Sequence, residues 1–174
     1  YGSADRELGI SNTPQTRFFI GSVTKQFTAM AILILQSQGR LNVQDPICTY
    51  IEDCPAAWED ITIHHLLTHT SGMIVMPEDN SYPESPLTPR ELLDRFKDAP
   101  LDFQPGERHS YSNCGYWVLG PIIEQVSGQT YEAFVQQWIL EPLDMHDSGF
   151  DQDASGLAVG YVDQNTTRPT QVIE

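Results

Sequence analysis

Positive charge is scarce in this chain: nine Lys and Arg stand against 24 Asp and Glu, a formal net charge of −15 over 174 residues. That balance repels phosphate backbones and anionic lipid, so nucleic acid is excluded as a partner. Long apolar runs are also lacking. The longest, Phe27 to Leu35, falls well short of the ~20 residues needed to cross a bilayer, and no membrane span is expected. Tyr1 opens the chain without a Met, a basic stretch or an apolar stretch of the secretory kind, so the residues do not name a compartment directly. Cysteine is sparse: Cys48, Cys54 and Cys114 match no zinc spacing, and one must stay unpaired under any intramolecular scheme. Cys48 and Cys54 would pair in an exported protein, but free buried thiols are the expectation. The chain has no Gly-x-Ser-x-Gly elbow, which removes the α/β-hydrolase reading. Fixed-period repeats and low-complexity tracts are missing too, and with them solenoid and linker architectures.

What is present describes a folded chain. A hydrophobic share of 40% with 19% charged residues is ordinary for a globular protein and unlike disorder. The length suits one domain. Val23 to Gln38 is rich in good helix formers and apolar nearly all round, which predicts a helix buried on most sides, ended by Gly39. Thr62 caps a short helix from Ile63 to His69, with Ser71 and Gly72 as its stop. Thr88-Pro89-Arg90-Glu91 combines a Thr cap, Pro at the first helical position and a Glu that reaches back, predicting a helix to about Asp98. A further helix is expected from about Cys114 to Val126, strained by Pro121 and stopped near Gly128. Thr130 caps another, to about Leu140. Strand signals fall only around Arg17 to Ile20 and Leu157 to Val162. The fold class expected is α+β, mostly helical, with an incomplete antiparallel sheet. It forms one partial domain over 1–174, with a helical lobe at about 23–150 and sheet edges near 1–22 and 155–174.

Two segments carry candidate chemistry. In FFIGSVTKQFTAM, Gly21 and Ser22 stand where an extended apolar stretch meets the first helix. A helix N-terminus offers free N–H groups and a positive dipole end, which suit a serine nucleophile and the oxyanion it generates. Lys25, three residues on, shares the helical face. Desolvation in such a setting disfavours an ammonium, and a neutral amine accepts a serine proton. Ser-x-x-Lys alone is a weak signal, but this is the chain's only instance and it sits at the first turn of an apolar helix. In ERHSYSNCGYWVLG, Tyr111 offers a phenol that a nearby lysine makes easier to deprotonate, and Asn113 offers both a donor and an acceptor to a substrate amide.

Together these segments resemble the serine β-lactamase and penicillin-binding protein superfamily, in the class C-like branch that includes D,D-peptidases, D-aminopeptidases and esterases. Ser22 and Lys25 match its Ser-x-x-Lys motif, and Tyr111 to Asn113 match its Tyr-x-Asn motif. LNVQDPI, ITIHHLLTHTSG and IIEQVSGQTYEAFVQQWILEPLDMHDSGF resemble its connecting segments in the same order. The resemblance implies that Ser22 is acylated, that Lys25 and Tyr111 share the proton work, and that Asn113 contacts the acyl-side amide. It implies no metal and no organic cofactor, a small-molecule or peptide substrate, and a periplasmic or extracellular setting. It also places Tyr1 to Ile10 at the end of the family's N-terminal hairpin. The family's third motif, His-x-Gly or Lys-Thr-Gly, does not occur here. The chain therefore looks like the family's N-terminal half, whose partner half supplies most of the sheet and a second oxyanion donor.

Rival expectations remain open at this level. His65 and His69 stand four apart on a helix with His64 adjacent, a zinc-like spacing that lacks the Glu of His-Glu-x-x-His; a structural hydrogen bond from His69 is the expectation. Asn165-Thr166-Thr167 fits a glycosylation triplet. The Pro-rich acidic stretch from Met73 to Thr88 is placed to border the cleft. A non-catalytic scaffold that binds a partner, or forms oligomers or swapped dimers through apolar surface, is the alternative to an enzyme.

Overall fold

The computed structural model describes residues 2–77, 87–150 and 156–161. A two-stranded antiparallel hairpin opens the chain, β1 (Ser3–Asp5) with β2 (Ile10–Ser11). Ser3 faces Ser11 and Asp5 faces Ile10, with a register shift between Ser3 and Asp5. Five α-helices follow among the described residues: α1 (Thr24–Ser37), α2 (Ile63–Leu67), α3 (Pro89–Asp94), α4 (Asn113–Ser127) and α5 (Tyr131–Val135). The chain after α5 widens into a π turn over Gln136–Leu140.

The caps act as their side chains dictate. Thr62 accepts from the His65 N–H while the His65 ring accepts from the Thr62 N–H. Thr88 and Glu91 form the same reciprocal box at α3. Thr130 accepts from the Ala133 N–H at α5. Each cap satisfies a donor that the first helical turn leaves without an intrahelical partner. Gly128 ends α4 in the left-handed conformation, φ 71°.

α4 is the central helix. It packs against α1, α2, α3 and α5, and Cys114, Val118, Leu119, Ile122 and Ile123 along it are completely buried. The core is completed by Ala31, Ile32 and Leu35 of α1, Ile63 and Leu66 of α2, Trp58, and Phe134 with Val135 of α5. Trp58 stacks on Phe96 at 5.9 Å between ring centroids, and Phe96 lies 6.0 Å from Trp117.

Three expectations need correction. α1 is not buried on most sides: the face that packs on α4, α5 and the Gln136–Leu140 turn carries Ala31, Ile32 and Leu35 into the core, while Met30 and Leu33 remain about half exposed, at 49% and 46%. Arg17 to Ile20 and Leu157 to Val162 do not form strands within the described residues; Arg17 and Leu157 make one parallel bridge. The 157–161 segment is instead tied to the hairpin, with the Val159 N–H on the Ala4 carbonyl and the Arg6 N–H on the Tyr161 hydroxyl. Cys48 and Cys54 are not free thiols but a disulfide, their Cα atoms 5.3 Å apart. A bend over Ile47–Thr49 and a left-handed residue at Asp53 fold that loop back on itself. Cys114 remains a free buried thiol, its pKa pushed up to about 12 by burial. Asn165 to Thr167 and most of 73–88 lie outside the described residues.

Candidate active site

Gly21–Val23 form a single tight helical turn that leads straight into α1. Gly21 turns the chain with a left-handed φ of 50°, a conformation costly for a residue with a Cβ. Ser22 follows in the first turn, where N–H groups lack intrahelical acceptors, and its side chain is exposed. Lys25, in the first turn of α1 and three residues beyond Ser22, reaches back so that Nζ donates to Ser22 Oγ at 3.2 Å.

The opposite wall comes from the entry to α4. Ser112, buried to 1% exposure, caps α4 by accepting from the Gly115 N–H at 2.9 Å, and its hydroxyl donates to the Ile74 carbonyl at 2.7 Å. This fixes the residues on either side. Tyr111 projects outward, 40% exposed, with its hydroxyl 2.7 Å from Ser22 Oγ. Asn113 turns inward and is buried. Its Oδ1 accepts from Lys25 Nζ at 2.9 Å, its Nδ2 donates to the Met76 thioether at 3.2 Å, and its backbone N–H donates to the Val75 carbonyl at 3.0 Å. Lys25 Nζ also sits over the rings of Tyr111 and Tyr116, 5.1 and 5.6 Å from their centroids.

The segment after α2 locks these walls together. Gly72, at φ 80°, passes so close to the 101–104 turn that a Cβ there would lie 2.1 Å from the Phe103 carbonyl oxygen. The Asp102 N–H donates to the Gly72 carbonyl and the Gly106 N–H to the Thr70 carbonyl, both at 2.8 Å. His69 accepts the Ser112 N–H on Nδ1 at 3.2 Å, the structural hydrogen bond anticipated for it. Tyr116 Oη donates to the Leu67 carbonyl at 3.1 Å, and its pKa is raised by burial and by Tyr111.

All four sequence candidates, Ser22, Lys25, Tyr111 and Asn113, thus meet in one hydrogen-bonded group. The imidazoles of His65 and His69 are used separately, on Thr62 and on Ser112. No group of three or more His, Cys, Asp or Glu among the described residues is arranged to hold a metal. Sequence reasoning missed Met76 and Tyr116. Tyr116 lies one helical turn beyond Asn113 on the same face, a usable signal; Met76 offered none.

The chain belongs to the Beta-lactamase family, whose model matches residues 1–171. It is similar to esterase EstB of Burkholderia gladioli, 34% identical over 180 residues, covering 93% of this chain and 46% of that protein. Among solved structures it is similar to the octameric penicillin-binding protein homologue of Pyrococcus abyssi, 38% identical with a TM-score of 0.80, covering 94% of this chain and 41% of that one. It is also similar to the D-amino acid amidase of Ochrobactrum anthropi SV3, 26% identical with a TM-score of 0.85, covering 98% and 50%. The fold is the β-lactamase/transpeptidase-like α+β fold. The chain spans 35% to 46% of the length of three curated relatives it matches.

Proposed function

We propose that the Ser22 group is the acylating centre of a serine hydrolase acting on β-lactams, D-amino-acid peptides or esters. One observation carries the reading: Ser22 Oγ lies 2.7 Å from Tyr111 Oη and 3.2 Å from Lys25 Nζ, so the nucleophile has two proton-handling groups within reach in the absence of substrate. Ser22 Oγ attacks the substrate carbonyl and its proton passes to the Tyr111–Lys25 pair. The Ser22 backbone N–H, in the first helical turn, donates to the developing oxyanion. The pair returns the proton to the leaving group as the C–N or C–O bond breaks, and water then releases the acyl group by the same route. Asn113 has a double part. Its Oδ1 holds Lys25, while its Nδ2 rests on a thioether, a weak acceptor, and exchanges it for an acyl-side carbonyl. The Cys48–Cys54 bond accords with a compartment outside the cytoplasm.

A second reading, a binding or oligomerising module, rests on exposed apolar side chains along one stretch of chain. Phe18, Phe19, Ile20 and Val23 are 47% to 55% exposed, and Met30 and Leu33 of α1 are 49% and 46% exposed. A similar protein is octameric, which supports self-association.

Turnover separates the readings. The parent and Ser22→Ala are compared on a p-nitrophenyl ester, a D-aminoacyl amide and a chromogenic cephalosporin. The catalytic reading expects at least one substrate to be hydrolysed, and Ser22→Ala to lose roughly 1,000-fold or more. Equal rates in both proteins would leave the binding reading in its place.

A further inference from the structure

His69 is not a member of the reacting group, yet it touches Ser112, Tyr111 and Tyr116 of that site. It follows α2 in a left-handed conformation, φ 56°, held by its own N–H on the Leu66 carbonyl at 3.2 Å and by the Ser110 N–H on its carbonyl at 2.8 Å. Its Nδ1 accepts the Ser112 N–H. Backbone and ring therefore grip the two residues that flank Tyr111. The imidazole also packs against Tyr111 itself, 4.6 Å between centroids at 35°, and against Tyr116, 4.9 Å at 33°. Tyr111 is the most exposed of these three rings; its hydroxyl meets Ser22 and its ring lies under Lys25 Nζ.

We propose that His69 is the positioning residue of this site: its neutral imidazole sets the Tyr111 ring by stacking and by accepting the Ser112 N–H, and protonation at Nδ1 releases that ring from Ser22. The acceptor bond requires the Nδ1 lone pair and so assigns the ring's own proton to Nε2. A proton added at Nδ1 opposes two N–H donors and ends the bond. Among the described residues, the titratable and charged groups facing the ring are His109 and Tyr111 on the loop before α4, Tyr116 on α4 and Lys25 on α1, with no carboxylate among them. Burial, then His109, then Lys25, hold the imidazole below its ordinary value of 6.5, which keeps it neutral at pH 7.

The inference rests on the acylation chemistry proposed above, and its test has an arm that does not. His69→Asn keeps an acceptor oxygen and tolerates the left-handed backbone, but removes the stacking ring. In the full chain, Tyr111 ring signals by NMR should move from their parental positions in His69→Asn. Phosphonylation of Ser22 by an activated phosphonate ester should slow about 100-fold, the effect of a misplaced catalytic group, and the variant should lose the acid limb that His69 gives the parent's pH profile. Unmoved Tyr111 signals, or a slowed rate that retains the parental acid limb, would overturn the proposal. Should His69→Asn fail to fold, nitrogen-15 titration of the parent decides. An unprotonated Nδ1 at pH 7, with Tyr111 signals moving at the His69 midpoint, supports it, and an Nδ1–H tautomer contradicts it. A parent that phosphonylates not at all counts against the acylation reading, while the Tyr111 signals still judge His69.

Discussion

Ser22 Oγ and Tyr111 Oη are 2.7 Å apart although 89 positions separate them in the chain. α1 brings the one and the capped entry to α4 brings the other, so their distance measures how well those two helices are docked. Tyr111→Phe keeps the ring on His69 and removes only the hydroxyl. The acylation rate of Ser22 should then fall by about 100- to 10,000-fold, the range of a lost general acid–base group, with unchanged circular dichroism. A rate within a few-fold of the parent, by stopped-flow with an activated ester, assigns the proton transfer to Lys25 alone.

Gly72 fixes the packing of the segment before Met73 on the 101–104 turn. Its left-handed φ and the 2.1 Å approach of the Phe103 carbonyl leave no room for a methyl group. Gly72→Ala is therefore expected to cost at least about 2 kcal/mol in a denaturant titration. Gly39, with open space around its Cβ position, should cost less under the same substitution.

Acid should weaken the fold before carboxylates titrate. His65 and His69 both have pKa values lowered from 6.5 in the folded state, each chiefly by burial. The unfolded chain thus takes up protons at higher pH than the folded one, and stability falls as pH drops below about 6.5. Glu91 and Asp94, lowered from 4.5 and 3.8 by hydrogen bonds from Thr88 and Lys97, act only in more acidic solution. Urea midpoints at pH 7.5 and 5.5 should differ in the parent, and less in His69→Asn.

The Cys48–Cys54 bond closes a short loop, with a sequence separation of six. Loop-closure entropy makes such a link worth about 2 kcal/mol. Unfolding with and without reductant should show that difference, with Cys114 unreactive in the folded protein because it is completely buried.

Much of this was legible in the sequence where the physics is local. Thr62, Thr88 and Thr130 announced helix starts because a cap is decided within four residues, and Ser22 and Lys25 could be paired because three positions make one helical turn. Their meeting with Tyr111 and Asn113 was available only through family resemblance, since no local rule joins residues that far apart. The burial of α1 was misjudged because composition does not say how many neighbours an apolar helix has; α4 packs on four other helices and α1 on two. Pairing of Cys48 with Cys54 depended on the fold of the intervening loop. Met76 joined Asn113 through a loop whose course no periodicity reveals.

If Ser22 is a nucleophile served by Lys25 and Tyr111, it should take an acyl or phosphonyl group from a reagent that fits the site. Intact mass of the folded chain after incubation with a penicillin and, separately, a phosphonylating ester tests it most directly, with Ser22→Ala alongside. One adduct per chain from at least one reagent is expected, absent in Ser22→Ala. An adduct that persists in Ser22→Ala, or none from either reagent on folded protein, would contradict it.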